Sequence, residues 1–248
     1  MEKNKQSIEN LKRMGNFPRI YKLVYIKNLE NEEFYIHELS KFNKNIYEKN
    51  KHKISLIKCL FYQNILVIDD VIDDEFCEEL IELMDTAIEN DEYKIEKWGN
   101  SQNVQCKFIS LSNNEYKNSK YLDDKMHKIM NKYINIIYFF YKAIMKLSIN
   151  VSFDDGYTLR KIHGKTRQHS DGVFNNSKDK KGIRSMSLIL SLSDFDGGKI
   201  VFPNQRFAYK LTKRKMICFP PYWTYPHFVE EPLNNTFRYT INTWILEK

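Results

Sequence analysis

Residues 184–203 of the chain read RSMSLILSLSDFDGGKIVFP. The runs 184–192 and 199–202 are short and apolar. Asp196-Gly197-Gly198 between them is a strong turn signal, because glycine adopts the positive φ angles of tight turns without steric cost. Similar runs follow residue 150 at positions 157–162, 207–211, 216–219 and 238–246. Strands this short and frequent predict a sandwich or barrel in the C-terminal half of the chain.

The first half of the chain has a helical pattern. Residues 65–85, ILVIDDVIDDEFCEELIELMD, begin with a buried-strand run, and Asp73 or Asp74 can cap the helix that follows. The apolar positions of this helix recur at helical spacing, at Phe76, Leu80, Leu83, Met84 and Ala87. A second helix is predicted from about residue 121 to 147, where the 3.6-residue period continues at Leu122, Met126, Ile129, Met130, Tyr133, Ile137 and Phe140. The pattern predicts an α+β fold.

The composition permits several classes of partner. The 248 residues correspond to one large domain, or to one domain with an extension. A hydrophobic share of 42% with only 8 glycines and 6 prolines excludes a disordered or collagen-like chain. The net charge of +7 is compatible with a nucleic acid, an anionic small molecule or an acidic protein. Most of the basic residues are lysines in a chain rich in Asn and Ile, so compositional bias is the simpler explanation.

The cysteines and the apolar segments indicate a compartment. Four cysteines lie far apart without a C-x-x-C pair, which argues against a disulfide framework or a structural zinc site and favours a reducing environment. The first 15 residues lack the apolar core of a secretory signal. The most apolar stretch, residues 133–145, is interrupted by polar residues and is shorter than the ~20 residues that span a bilayer. We expect a soluble, intracellular (cytoplasmic) protein that does not contact a membrane.

Two histidines and an aspartate form a candidate metal site. His169 and Asp171 are spaced i and i+2, so they project to the same side of an extended segment. His227 lies 58 residues later, where the intervening strands can return the chain to the first pair. Two imidazoles and one carboxylate are the facial triad of non-haem Fe(II) oxygenases, which leaves positions open for other ligands. An H-x-D alone is more often part of a surface loop.

A cationic residue follows at strand spacing. Arg238 comes eleven residues after His227, and Thr240 shares its face of the predicted strand. A guanidinium and a hydroxyl directed into a barrel can hold a carboxylate by charge-assisted hydrogen bonds. A buried arginine without such an anion would be costly.

The segments HSDG (169–172), RSMSLILSLSDFDGGKIVFP (184–203) and FPPYWTYPHFVEEPLNNTFRYTINTWI (219–245) together resemble the Fe(II)- and 2-oxoglutarate-dependent dioxygenases, within them the prolyl 4-hydroxylase-like branch. The strand and helix of residues 65–85 resemble the segment that opens the catalytic domain of that branch. The resemblance implies a distorted double-stranded β-helix, a jelly roll, with packing helices. It covers about residues 64–248, so we expect a catalytic domain at 61–248 and an N-terminal extension of unknown role at 1–60.

The resemblance also implies roles for individual residues. His169, Asp171 and His227 would bind iron, and Arg238, assisted by Thr240, would pair with the distal carboxylate of 2-oxoglutarate. Substrate would be contacted by Arg184 and Trp244, and Tyr157 would reach the cosubstrate. The tyrosine that these enzymes usually have shortly before the H-x-D is replaced by Thr166 or Ile162, which leaves one cosubstrate contact unassigned.

The function implied is hydroxylation of a protein or peptide, most often at proline, with Fe(II), with 2-oxoglutarate and O2 as cosubstrates and with ascorbate as reductant. Two alternatives remain open: oxidation of a nucleic acid or a free amino acid, which the positive charge permits without favouring, and a binding module without catalysis. The cluster Lys210, Lys213, Arg214 and Lys215 indicates a solvated hairpin more than a nucleic-acid groove.

Overall fold

The computed structural model describes residues 22–28, 34–38, 55–96, 105–112, 116, 118–143, 151–172, 182–234 and 236–247. Two helices lie in these ranges, α1 (Asp74–Glu89) and α2 (Ser119–Ala143). The strands are β1 (Lys22–Asn28), β2 (Phe34–Glu38), β3 (Ser55–Tyr62), β4 (Ile65–Ile68), β5 (Lys94–Glu96), β6 (Gln105–Ser110), β7 (Val151–Asp154), β8 (Thr158–His163), β9 (Ile183–Ser191), β10 (Ile200–Phe202), β11 (Phe207–Tyr209), β12 (Met216–Phe219), β13 (Phe228–Val229) and β14 (Arg238–Glu247).

Both predicted helices are present. At the start of α1, the Asp73 side chain accepts a hydrogen bond from the Phe76 backbone N–H at 2.8 Å and so satisfies a donor that a helix N-terminus leaves open. The predicted apolar face of α1 is buried. Helix α2 begins two residues before its predicted start, and the predicted end at residue 147 lies outside the described residues.

Eleven of the described strands form one sheet, in the order β2-β1-β3-β4-β12-β9-β14-β8-β6-β5, with β7 also paired to β14. The central pair, β9 and β14, is antiparallel. Residues of both helices share a hydrophobic core with one face of this sheet, including Leu80, Met84, Met126, Leu188 and Ile241. The helices therefore cover that face and leave the opposite face to the second sheet.

The second sheet is small and antiparallel, in the order β11-β10-β13. Phe202 and Phe207 from this sheet pack with Ile65, Ile217 and Phe219 of the main sheet in a separate core. The turn before β10 is the predicted glycine turn. Gly197 has φ +69°, and a Cβ there would lie 2.8 Å from Leu233 Cγ, so the turn requires glycine for both conformation and space.

The described part of the N-terminal extension continues the main sheet. Strands β1 and β2 coincide with apolar runs of the first 60 residues; β1 pairs in parallel with β3, which pairs with β4. Strand β3 crosses residue 60. Residues 1–21 and 39–54 lie outside the described residues, so the domain boundary near residue 60 stays a prediction.

The basic cluster lies at the surface with Lys210 exposed, as the sequence indicated, but it is not a hairpin, because β11 and β12 belong to different sheets. Lys213 contacts Asp74 at 3.0 Å and Glu78 at 3.6 Å, and Lys215 contacts Asp69 at 3.1 Å. Arg214 lies 3.0 Å from an Asp70 oxygen and also contacts Asp74. These acidic residues belong to the β4–α1 segment, which the sequence pattern could not place beside residues 213–215.

All four cysteines are free and buried, as expected from their spacing. Burial raises the pKa of the Cys77 and Cys106 thiols to about 11, which keeps them protonated at neutral pH. Neither described helix has both the length and the apolar character required to cross a bilayer.

Candidate active site

A backbone bridge brings the two separated histidines together. The His169 N–H donates to the His227 carbonyl at 3.0 Å, and the His227 N–H donates to the His169 carbonyl at 2.8 Å. Nearby, the Thr166 hydroxyl accepts from the Val229 N–H at 2.7 Å. These bonds tie the segment after β8 to the segment that leads into β13. The imidazole centroids of the two histidines lie 4.5 Å apart.

Backbone carbonyls orient both imidazoles. His169 Nδ1 lies 2.8 Å from the Arg167 carbonyl, and His227 Nδ1 lies 3.2 Å from the Tyr225 carbonyl. Because a carbonyl only accepts, each Nδ1 carries a hydrogen, and each Nε2 is the ring nitrogen near Asp171. Such hydrogen bonds from the far ring nitrogen are the usual support of a metal-binding histidine.

Asp171 completes the cluster. Its Oδ1 lies 3.5 Å from His169 Nε2 and 3.7 Å from His227 Nε2, and the potential ligand atoms of the three residues all lie within 4.8 Å of one another. Two imidazole nitrogens and one carboxylate oxygen are the ligand set of the 2-His-1-carboxylate iron site. The predicted triad is thus assembled in space, and its chemistry fits Fe(II).

The pKa shifts of His227 and Asp171 favour their metal-binding forms, whereas the contact with Asp171 outweighs burial and raises the pKa of His169. His227 is 2% exposed, and burial lowers the pKa of its imidazole, which favours the neutral ring that a metal requires. Burial alone would raise the pKa of Asp171, but the contacts of its carboxylate with the two imidazoles outweigh burial, so this pKa is well below its usual range. Asp171 therefore offers a carboxylate.

The cluster opens into a cavity of about 630 Å³ between the two sheets. Its wall includes all three cluster residues, both members of the predicted carboxylate clamp and both predicted substrate contacts: His169, Asp171, His227, Arg238, Thr240, Arg184 and Trp244. Strand β14 supplies one side of the wall, because its alternate residues from 238 to 244 share one face. The intervening residues, such as Ile241 and Ile245, belong to the helix-side core.

Arg238 is a buried cation without an anionic partner among the described residues. It is 3% exposed, its Nη2 donates to the Gly164 carbonyl at 3.0 Å, and its Nε is buried without a hydrogen-bond partner. Burial lowers the pKa of the guanidinium to about 10, so it stays charged at neutral pH. A buried donor of this kind fits a carboxylate ligand in the cavity.

Thr240 lies on the same strand face as Arg238, and its hydroxyl donates to Asn242 Oδ1 at 2.8 Å. Both residues are buried. Both members of the predicted clamp therefore line the same cavity as the cluster of His169, Asp171 and His227.

Arg184 and Trp244 line the cavity, and both donate hydrogen bonds to Asp171. The Trp244 indole N–H donates to Asp171 Oδ2 at 3.1 Å, and Arg184 Nη1 donates to the Asp171 backbone carbonyl at 3.2 Å. The Arg184 guanidinium carbon lies 3.8 Å from the centroid of the Trp244 ring.

Tyr157 does not line the cavity, contrary to the sequence expectation. It precedes β8 on the opposite face from Thr158, Arg160 and Ile162, which do line it. Its hydroxyl donates to Asp154 Oδ2 at 2.8 Å, and it packs in the helix-side core. The strict alternation of strand side chains therefore turns Tyr157 away from the cosubstrate.

The cavity wall also includes Arg160, which the sequence does not reveal as a site residue. Arg160 on β8 lies opposite Thr240 on β14, and its Nη1 pairs with Glu96 Oε2 at 2.8 Å. The alternation of side chains along β8 would place Arg160 on the cavity face, but only once the pairing register of β8 with β14 is known. That register depends on contacts about 80 residues apart, which sequence spacing does not reveal.

No protein-family model matches the sequence, and a search of curated proteins found no match. Solved structures match in fold. The viral collagen prolyl hydroxylase of Paramecium bursaria Chlorella virus-1, in complex with 2-oxoglutarate, has a TM-score of 0.51 and 18% identity, covering 75% of this chain and 97% of that one. A prolyl-4-hydroxylase from Pseudomonas putida has a TM-score of 0.52 and 12% identity, covering 75% and 93%.

A prolyl hydroxylase from Trichoplax adhaerens, in complex with a peptide fragment of the hypoxia-inducible factor oxygen degradation domain, has a TM-score of 0.51 and 14% identity, covering 74% of this chain and 83% of that one. These likenesses confirm the predicted jelly-roll architecture. The chain has the fold of the prolyl hydroxylases among the Fe(II)- and 2-oxoglutarate-dependent dioxygenases, and it carries the H-x-D…H triad.

Proposed function

We propose that the chain is an Fe(II)- and 2-oxoglutarate-dependent dioxygenase that hydroxylates a protein or peptide, at proline. One observation carries the proposal: the buried, anion-free guanidinium of Arg238 lies in the same cavity as a complete 2-His-1-carboxylate cluster. A metal site alone would fit many functions. A metal site that shares a pocket with a buried carboxylate receptor fits a cosubstrate that binds through both.

The residues divide into ligands and clamps. His169 Nε2, His227 Nε2 and Asp171 Oδ1 would hold the iron, because their other polar atoms already have partners in the protein. When bound, iron with 2-oxoglutarate and O2 supplies the oxidising chemistry. Ascorbate would serve as the reductant that keeps the metal in its Fe(II) state.

Arg238 and Thr240 would hold the distal carboxylate of 2-oxoglutarate. The Arg238 Nε–H has no partner in the protein, so it can donate a hydrogen bond to a carboxylate oxygen. The Thr240 hydroxyl can turn from Asn242 toward the same carboxylate. Burial strengthens both bonds, since the local dielectric is low. Arg238 and Thr240 would thereby orient the cosubstrate.

A peptide substrate is supported by the fold likeness to three prolyl hydroxylases, one of them in complex with a peptide fragment. The nucleic-acid alternative loses part of its motivation, because three residues of the basic cluster are paired with acidic residues. A binding module without catalysis is disfavoured by the complete cluster and by Arg238, since neither would be needed for binding alone.

Mass spectrometry tests the proposal. The protein is incubated with Fe(II), ascorbate, 2-oxoglutarate and proline-rich peptides, and both succinate and a peptide that has gained one oxygen are expected. The His169→Ala variant should form neither product, whereas His37→Ala, on the edge strand β2, should retain activity. Succinate without peptide oxidation would contradict the peptide assignment, and the absence of both products would contradict the enzyme assignment.

A further inference from the structure

Asp171 is held from two sides by residues that the resemblance assigned to the substrate. The Trp244 indole N–H donates to its side-chain Oδ2 at 3.1 Å, and Arg184 Nη1 donates to its backbone carbonyl at 3.2 Å. The side chains of Asp171 and Arg184 are 12% and 16% exposed, so these contacts are largely shielded from water. A peptide in the cavity would have to displace them in order to use the same donors.

The Trp244 contact decides which oxygen of Asp171 faces the histidines. An indole N–H can only donate a hydrogen bond. Its contact with Oδ2 therefore leaves Oδ1 as the oxygen that is available to a metal. Oδ1 then remains turned toward the Nε2 atoms of His169 and His227, at 3.5 Å and 3.7 Å. The carboxylate is thereby prepared to bind a metal through one oxygen.

A strand irregularity brings Arg184 to this face. Trp244 pairs with Ser187 and Ile245 with Met186, but Leu246 pairs with Arg184, so Ser185 is an extra residue at a β-bulge. Regular alternation would put Arg184 on the face of Met186, which belongs to the helix-side core. The bulge shifts Arg184 onto the face of Trp244.

Arg184 also restrains the Trp244 ring. Its guanidinium carbon lies 3.8 Å from the ring centroid, within the range of a cation–π contact, and its Nη2 lies 3.5 Å from Asp155 Oδ2. The Asp155 N–H donates to the Trp244 carbonyl at 2.9 Å. Arg184 thus packs on the face of the indole ring, and Asp155 holds the backbone of Trp244.

We propose that Trp244 and Arg184 are positioning residues for the metal ligand Asp171: Trp244 fixes the carboxylate in a one-oxygen orientation, and Arg184 fixes both Trp244 and the Asp171 backbone. The inference rests on the proposed function, because it assumes that the cluster binds a metal. It differs from the substrate roles that the resemblance implies, since it predicts an effect on metal binding with no peptide present.

Titration with Co(II), followed by its visible absorption, tests the inference in the apo protein. Loss of a supporting partner of a metal ligand typically costs 10–100-fold in affinity, so we expect Trp244→Phe to weaken Co(II) binding by about that factor and to change the absorption spectrum. Trp223→Phe is the matched control, because Trp223 is 81% exposed. Benzothienylalanine at position 244 keeps the shape of the ring without the N–H, and it should give the same loss without altering packing.

Arg184→Met supplies the second arm. A positioning role predicts weaker Co(II) binding without peptide, whereas a purely substrate-facing role predicts unchanged Co(II) binding and a raised peptide KM. Wild-type Co(II) affinity in both the benzothienylalanine protein and Arg184→Met would overturn the inference while leaving the proposed function intact. Failure of the wild-type protein to bind Co(II) would overturn the proposed function itself.

Discussion

At the scale of single residues, Arg238 is the clearest departure from what stability alone would select. A buried charge without an ionic partner costs free energy, and Arg238 is 3% exposed with a buried Nε that has no partner. An apolar side chain of similar length would fill the same space at lower cost. The cost is understandable if an anion occupies the cavity during function.

Replacing Arg238 with methionine separates binding from stability. We expect Arg238→Met to weaken 2-oxoglutarate binding by about 100-fold, because charge-assisted hydrogen bonds contribute roughly 1.5–3 kcal/mol each. The free energy of unfolding of the apo protein should not fall, since a buried charge is removed. Calorimetric titration and urea denaturation measure the two quantities.

Arg206→Met is the control for this substitution, because Arg206 is exposed in the turn before β11. It should leave 2-oxoglutarate binding unchanged. If Arg238→Met bound 2-oxoglutarate as tightly as the wild type, the assignment of the carboxylate clamp would be wrong.

The sequence predicts the residues of the metal cluster better than it predicts their neighbours. His169, Asp171 and His227 can be recognised because their chemistry and order are distinctive. The contact of Arg184 with Asp171 depends on the bulge at Ser185, and the contact of Trp244 with Asp171 depends on strand register; local sequence encodes neither. The predicted role of Tyr157 fails for a similar reason: the alternation of side chains along β8 places Tyr157 on the face away from the cavity.

At the scale of elements, helix α1 depends on its N-cap. Asp73 accepts a hydrogen bond from the Phe76 N–H, so Asp73→Ala should lower the free energy of unfolding by about 1 kcal/mol. The control Glu82→Ala, at an exposed position within α1, should have a much smaller effect. Urea denaturation monitored by circular dichroism measures both, and equal effects would contradict the capping role.

The ion pairs between residues 213–215 and the β4–α1 segment predict a pKa change. The hydrogen bond from Lys213 is the largest cause of the lowered pKa of Asp74, so Lys213→Gln should move that pKa back toward its usual value. A lowered native pKa means that the pair stabilises the fold above the pKa of an unfolded aspartate, about 3.9, and that this contribution is lost as the pH falls through the lower native value.

Carboxyl chemical shifts followed by NMR across acidic pH measure the pKa of Asp74. Lys210→Gln, at an exposed position beyond β11, is the control and should leave that pKa unchanged. An Asp74 pKa that does not respond to Lys213→Gln would mean that the contact is not maintained in solution.

Elements with a clear apolar pattern match the sequence prediction, and several short or mixed-polarity strands do not. Helices α1 and α2 and strands β8, β9, β12 and β14 follow the predicted apolar patterns closely. Strands β5, β6, β7 and β13 were missed because they have two to six residues or mix charged and apolar side chains. Their extended conformation is imposed by pairing with neighbours, as in β6, which pairs with both β5 and β8.

At the scale of the whole molecule, the helices cover one face of the main sheet, and the cavity lies between the other face and the small sheet. Strand β14 therefore separates the two regions, with core residues on one face and site residues on the other. Substitutions of the site residues are therefore expected to change binding more than folding.

The net charge of +7 is a property of the whole molecule. We expect weak oligonucleotide binding with little salt dependence, because Lys213, Arg214 and Lys215 are paired internally. Fluorescence anisotropy with single-stranded DNA between low and physiological salt measures it. Tight binding that falls steeply with salt would indicate several phosphate contacts and would revive the nucleic-acid alternative.

The central claim is that the triad and Arg238 form one site for Fe(II) and 2-oxoglutarate. Anaerobic addition of Fe(II) and 2-oxoglutarate, followed by visible absorption, tests it most directly, because chelation of the metal by the cosubstrate gives a charge-transfer band. We predict this band for the wild-type protein, its absence in His169→Ala, and its appearance in Arg238→Met only at about 100-fold higher 2-oxoglutarate. A wild-type protein that gives no band, or a band that persists in His169→Ala, would contradict the account.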